Sequence, residues 1–304
     1  MEFRVLRYFL AVAREKSMTG AANVLHVTQP TLSRQIRDLE DELGTQLFER
    51  HSHSVTLTAD GMRLRKRAEE MEELFELTRA EFAAAKSGIE GDIRIGAGET
   101  LAMRHLAGVI SEIRQTYPDI RVHLYSGNME DLSERLDRGL LDFGVLIQPA
   151  DLSKYSFVHL PEKDVWGVVT HRDSPLAAKS VVTKEDLAGL PLILPRQAMR
   201  PQAVNVFLEW FGDEADRLNV VATFNLVCNA AILVEAGIGH VVTLQGLANT
   251  SESSPLRFRL LDPVLETGLS IVWKKQQVFS PAAEVFWERI LERFGGRGIK
   301  REKE

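Results

Sequence analysis

Apolar residues recur at helical spacing from the start of the chain. Phe3, Leu6, Phe9, Leu10 and Ala13 share one face of a first helix. Ser17 offers an N-cap for a short second helix lined by Ala21, Ala22 and Leu25. After the connection His26-Val27-Thr28, Thr28 caps a third helix. Pro30 sits in its first turn, where the N–H groups lack intrahelical partners in any case. Leu32, Ile36, Leu39 and Leu43 fall on one stripe and predict the buried face of that helix, which Gly44 ends. The period then shortens. Leu47 and Phe48, a polar tip from Glu49 to Ser54, and the alternating Val55-Thr56-Leu57-Thr58 predict a two-stranded wing.

From Ala59 to Lys86 there is no proline, and the only glycine is Gly61. Leu64, Ala68, Met71, Phe75, Thr78, Phe82 and Ala85 recur every three or four residues, which predicts one long helix with an apolar seam. Such a helix is not stable alone in water, so the seam packs on its own chain or on a second copy in a coiled coil. Ser87-Gly88 and Gly91 break it. Strand-like and helix-like segments then alternate: strands at Ile93–Ile95, Arg121–Tyr125 and Phe143–Ile147, with helices from about Thr100 and Met129. A second set follows Pro161, with strands at Val165–Thr170, Leu192–Leu194, Val220–Phe224 and Val241–Leu244, and helices from about Pro201 and Val227. A late strand at Gly268–Lys274 and a closing helix from Pro281 to Phe294 complete the pattern, which predicts an α/β region built on a parallel sheet.

A length of 304 residues favours two or three domains, and 44% hydrophobic with 26% charged residues describes a soluble globular protein. No apolar run approaches the roughly 20 residues of a membrane span. The charged N-terminus (Glu2, Arg4, Arg7, Arg14) is unlike a secretion signal, and the single Cys228 rules out an intrachain disulfide, so a cytoplasmic address with no membrane partner is expected. The net charge of −6 gives no support to nucleic-acid binding, and residues 1–58 balance seven Lys/Arg against seven Asp/Glu. Local placement matters more. In the third helix Gln29, Thr31, Ser33, Arg34 and Arg37 occupy the first half opposite the apolar stripe, whereas Asp38, Glu40, Asp41 and Glu42 fill the second. A helix so arranged can enter a major groove by its N-terminal end, with Gln and Arg making paired hydrogen bonds to base edges. The same distribution also fits the solvated face of an ordinary three-helix domain.

Fixed spacing decides between these. The positions Phe9, Ser17, Thr19, Ala21, Ala22, Leu25, Gln29-Pro30, Leu32-Ser33, Ile36, Leu39-Glu40, Leu43-Gly44, Leu47-Phe48, Arg50, Leu57-Thr58 and Gly61 resemble the N-terminal domain of the LysR-type transcriptional regulators. The resemblance implies a winged helix-turn-helix over 1–58, a dimerisation helix over 59–88 and an effector-binding region over 89–304. That region would resemble type 2 periplasmic binding proteins, with one subdomain near 89–162 and 266–304 and another near 163–265. The implied function is sequence-specific binding of a double-stranded DNA operator under control of a small-molecule co-inducer, expected to be anionic and bound in the cleft between the subdomains, with no other cofactor, no metal and no enzymatic activity. Thr19, Thr28, Gln29, Pro30, Thr31, Ser33, Arg34, Arg37, Arg50, His51 and His53 form the candidate DNA-binding set. The implied assembly is a homodimer through the long helix and a homotetramer of such dimers. Ligand-driven closure would change the spacing of the paired DNA readers, and with it DNA bending and the access of RNA polymerase.

In such a fold a small ligand sits where strands give way to helices, and helix N-termini there suit anions and carboxylates. The candidate effector-binding residues are Thr100, Leu101, Gly127, Asn128, Gln148, Arg196, Asn225 and Val227. Thr100 matches the position where the family places a cleft hydroxyl, and Arg196 can pair with a carboxylate. Asn128 and Asn225 are equally readable as plain N-caps. Glu99 counts against an anion, because its own charge would occupy or repel at that mouth. Other signals carry less. Gly96-Ala97-Gly98 lacks the third glycine of a phosphate turn, since position 101 is Leu. The histidines show no metal-ligand spacing, and no hydrolase elbow is present. Cys228 reads either as a reactive thiol near the cleft or as buried filling beside Val227, Ala230 and Ala231. A transporter's solute-binding protein or a cytoplasmic α/β enzyme would leave the first domain unexplained.

The wing departs from the family pattern. Where Arg, Lys or Gly is common at the tip, this chain has His51-Ser52-His53-Ser54. Imidazoles gain charge as pH falls through about 6.5, so phosphate attraction at the wing is expected to strengthen on acidification. A gel shift against pH, on DNA flanking the protein's own gene, tests this. The parent should bind more tightly below that pH and a His51→Ala/His53→Ala variant should not. Identical profiles would leave the histidines as ordinary surface residues.

Overall fold

The structure is a computed structural model that describes residues 1–51, 54–84, 89–196 and 206–295. The chain divides into two compact units, Met1–Ala83 and Ala84–Glu304.

In the first unit, helix α1 (Phe3–Glu15) buries Val5, Leu6, Phe9, Leu10 and Ala13 and ends where Lys16 turns left-handed. Ser17 Oγ accepts the Gly20 N–H and opens α2 (Met18–Val24). Thr28 Oγ1 accepts the Thr31 N–H and opens α3 (Gln29–Leu43), which Gly44 closes at φ 66°. Leu32, Ile36 and Leu39 are buried, but Leu43 is 41% exposed, which corrects the four-residue stripe. As the last residue of the helix it extends beyond the neighbours that cover the other three. Strands β1 (Phe48–Arg50) and β2 (Val55–Leu57) pair antiparallel, Phe48 opposite Leu57. Glu40 fixes the approach to them, accepting the backbone N–H groups of Leu47 (2.8 Å) and Phe48 (3.2 Å).

Thr58 joins the wing to α4 (Ala59–Ala84) by accepting the Gly61 N–H and donating to the Gln46 carbonyl. A Cβ on Gly61 would lie 2.1 Å from the Leu47 carbonyl oxygen, so only glycine fits there. The seam of α4 divides in two. Leu64 and Ala68 pack on the core of the first unit, whereas Met71, Leu74 and Phe75 are 40–45% exposed. Phe75 also stacks on Phe3 at 4.4 Å. The Phe82 side chain, Ala85, Ser87 and Gly88 lie outside the described residues.

The second unit holds two sheets. The first comprises β3 (Gly91–Ala97), β4 (Ile120–Ser126), β5 (Phe143–Ile147), β6 (Tyr155–His159) and, from near the end of the chain, β14 (Leu269–Lys274), in the order β4-β3-β5-β14-β6. Helices α5 (Met103–Thr116) and α10 (Pro281–Phe294) cover one face, and α6 (Met129–Asp137) covers the other. The second sheet runs β10 (Asn219–Phe224), β9 (Pro191–Pro195), β11 (His240–Leu244), β7 (Asp164–His171), β12 (Leu256–Asp262) and β8 (Val181–Thr183), with the short β13 (Glu266–Thr267) also on β7. The four-residue α7 (Lys184–Leu187) follows β8. Helix α8 (Val206–Phe211) buries Phe207 and Phe211 against one face of this sheet, and α9 (Val227–Glu235) buries Ala230 and Val234 against the other.

Both sheets are mixed, which corrects the expectation of a parallel one. β3, β4 and β5 are parallel, but β14 enters antiparallel between β5 and β6. In the second sheet β11 and β12 both flank β7 antiparallel. The cause is a chain that returns late in sequence to close each sheet. The helix expected from about Thr100 begins at Met103, because the Thr100 hydroxyl turns back to accept the Ala102 N–H. The helix expected from about Pro201 is described only from Val206.

The two sheets are linked where β7 and β13 run side by side, Asp164 opposite Thr267. Asp164 is 9% exposed and accepts the Thr100 hydroxyl at 2.5 Å. Burial is the largest influence on its carboxyl and raises its pKa above the ordinary value, with the Glu162 charge adding to the rise and the Thr100 hydrogen bond opposing it. An acid whose folded pKa is raised contributes stability below its unfolded value, about 3.9, and loses it as pH rises through the folded one. An Asp164→Asn variant should therefore gain melting temperature relative to the parent between about pH 4 and neutrality. Thermal melts across that range check this, and a pH-independent difference would refute it.

Candidate functional site

Two surfaces concentrate the chemistry. On the first unit, α3 presents Gln29, Pro30, Thr31, Arg34 and Arg37 to solvent, with Ser33 half-buried among them. Thr19 is exposed in the first turn of α2. Thr28 and Thr31 share a hydrogen bond between their hydroxyls at 2.8 Å, so Thr28 serves the helix cap while it faces outward. Arg34 is 82% exposed and only loosely held, 3.9 Å from Asp38. The acidic second half of α3 is partly occupied internally. Glu40 holds the wing backbone and Glu42 pairs with the N-terminal ammonium. At the wing, His51 Nε2 lies 3.1 Å from the Thr56 hydroxyl. The Arg50 side chain and His53 lie outside the described residues.

The second surface is a cavity of about 540 Å³ in the second unit, within the range of small-molecule sites. Of the eight expected residues, Gly127, Asn128, Gln148, Arg196, Asn225 and Val227 line it. Thr100 and Leu101 do not. The Thr100 hydroxyl is spent on Asp164 and Ala102, and the Leu101 side chain lies against Gly246. The aromatic walls, Trp166, Phe207 and Phe224, went unnoticed in the sequence, because no local period distinguishes a cavity wall from a core face.

The polar groups at the cavity are largely engaged by the chain itself. Asn128 Oδ1 caps α6 by accepting from Glu130 N (3.0 Å) and Asp131 N (3.1 Å). The Gln148 amide donates to Ser270 Oγ, and its carbonyl oxygen accepts the Ala150 N–H. Helix α9 has Leu226 at its N-cap position, with no side chain able to accept. The Glu99 carboxylate reaches across from the end of β3 and accepts the Val227 N–H at 2.5 Å. The place where an anion was expected at α9 is therefore taken by the protein's own carboxylate. Arg196 is exposed at the rim. Cys228 is exposed, not buried filling as its neighbours suggested, because α9 turns Val227 and Ala230 inward instead. Among the described residues there is no metal-binding cluster and no helix long and apolar enough to cross a membrane.

Comparison with known proteins matches each of the two units to a known family domain. The family model described as bacterial regulatory helix-turn-helix protein, lysR family, matches residues 3–62, and that of the LysR substrate binding domain matches 86–295. The Hca operon transcriptional activator HcaR of Escherichia coli (strain K12) is 30% identical over 298 residues, covering 96% of this chain and 98% of that protein. The dual regulator OxyR of the same organism is 33% identical over 218 residues, 70% of each chain. In solved structures, the LysR family regulator CbnR superimposes with TM-score 0.75 at 23% identity, over 96% of this chain and 99% of CbnR. Full-length CbnR is also known in complex with its target DNA. Full-length BenM matches at 27% identity and TM-score 0.53 over the whole of both chains. With a helix-turn-helix at its N-terminus and an effector-binding domain after it, this chain belongs to the LysR family of DNA-binding transcriptional regulators.

Proposed function

We propose that α3 reads an operator in the major groove and that a small molecule in the 540 Å³ cavity controls this binding. The observation that carries the first part is the presentation of Gln29, Arg34 and Arg37 on one solvent-facing end of α3. Amide and guanidinium groups so placed make the bidentate base contacts that discriminate sequence. Thr19, Thr28, Pro30, Thr31 and Ser33 surround them as backbone or groove contacts. The wing, with Arg50, His51 and His53, meets the flanking phosphates.

A second copy of the chain completes the reader. Met71, Leu74 and Phe75 leave the outer half of the α4 seam exposed, as a paired helix requires. Further apolar surface lies on the second unit, where Leu124 on β4 is 61% exposed and Ile232 on α9 is 57% exposed, and these support pairing of dimers into a tetramer. Gly127, Asn128, Gln148, Arg196, Asn225 and Val227 are assigned to the ligand cavity, and Thr100 and Leu101 to its supporting layer. The ligand acts by changing how the two sheets close on each other, and so how paired readers are spaced on DNA. Transcriptional control, with no chemistry performed on the ligand, is the reading that accounts for both units together.

Footprinting on DNA flanking the protein's own gene tests the DNA assignment. Arg34→Ala should weaken binding by about 1–3 kcal/mol and relax discrimination at one base pair. Unchanged affinity removes Arg34 from the reading set, and failure to protect any such site across a range of salt refutes the assignment.

A further inference from the structure

The helix ends and polar side chains around the cavity show what kind of ligand is left to bind. Helix N-termini attract anions because their first N–H groups lack partners. Here the start of α6 is met by Asn128 and that of α9 by Glu99. The Glu99 contact joins elements of different sheets, since Glu99 follows β3 and Val227 opens α9. Any ligand carboxylate seeking the α9 end must first expel that carboxylate and then sit near it. The charged side chains of the described wall add to the difficulty, with Glu99, Glu130 and Asp151 against Arg196 alone.

What remains is largely aromatic and aliphatic surface, with Arg196 and Asn225 exposed at its edge. Trp166 lines the cavity with its ring, while its indole Nε1 is shielded from the cavity space. Trp166, Phe207 and Phe224 offer ring faces and edges that suit an aryl group.

Resting on the assignment of the cavity as the effector site, we propose that it selects an uncharged aryl compound over the corresponding carboxylate. Glu99 is the residue that refuses carboxylates. It acts as the protein's own occupant of the α9 end, and an uncharged ligand leaves that bridge between the sheets in place while a carboxylate must break it. Specificity is then set by repulsion as much as by fit.

The test uses two probes of nearly equal shape, naphthalene-2-carboxamide and naphthalene-2-carboxylate, titrated calorimetrically into the full-length protein. The carboxamide should bind the parent at least about tenfold more tightly, the scale of a single like-charge contact near a protein surface. In Glu99→Gln that ratio should collapse, and in Glu99→Asp, which keeps the charge, it should persist. Glu99→Ala supplies the uncharged reading if the glutamine variant is not recovered folded. A carboxylate that binds the parent as well as the carboxamide does, a ratio unchanged by removing the charge, or no binding of either probe would overturn the proposal. An Asn225→Trp variant, obstructing an exposed wall position, separates the two assignments. Carboxamide binding that survives the obstruction defeats the cavity as the site, whereas obstructed binding with a carboxylate preference defeats only the selectivity.

Discussion

The first turn of an α-helix carries N–H groups that the helix itself cannot satisfy, and in this protein the way that demand is met organises nearly everything else. Ser17, Thr28 and Thr58 meet it in the first unit. They thereby fix the angle between the two helices of the DNA reader and join the wing to the long helix. Asn128 and Ser280 meet it in the second unit. Each is a short polar side chain just before its helix, so each end is self-sufficient. Helix α9 differs, because its N-cap position holds Leu226 and its acceptor arrives from another part of the fold. A demand met locally at the starts of α2, α3, α4, α6 and α10 is met at α9 by a tertiary bond.

How much of this is legible in the sequence depends on how local the cause is. The caps of α2 and α3, the end at Gly44 and the whole span of α10 follow from residues a few positions apart, and the structure matches them closely. The reason for Gly61 is less local, since it depends on the Leu47 carbonyl fourteen positions away. The strand directions were out of reach. β14 lies antiparallel against β5 across more than a hundred residues, and nothing in Leu269–Lys274 encodes that neighbour. The short β6, β8 and β13 carry no strand signal of their own, whereas β12 alternates Leu256-Arg257-Phe258-Arg259-Leu260 between Pro255 and Pro263 and is legible as a strand, though the sequence reading does not include it. Within the ligand site, the residues found were those at strand-to-helix junctions, and those missed were the aromatic walls, which reach the cavity from the sheet and from α8.

Charge is a second case in which arrangement outweighs totals. The neutral composition of the first fifty-eight residues conceals a division of labour among its acids. Glu40 is turned onto the backbone leading into the wing, and Glu42 neutralises the N-terminus. The basic groups Arg34 and Arg37 remain in solvent. A polyanion approaching the outer end of α3 meets guanidinium groups, while part of the compensating negative charge is committed to holding the domain together.

The borrowed cap of α9 also ties secondary structure to domain motion. If the sheets separate, Glu99 withdraws and the first turn of α9 loses its acceptor, so the open state carries a helix frayed at Val227. Hydrogen exchange at that single amide becomes a gauge of cleft closure, readable without any ligand and without any label on the protein.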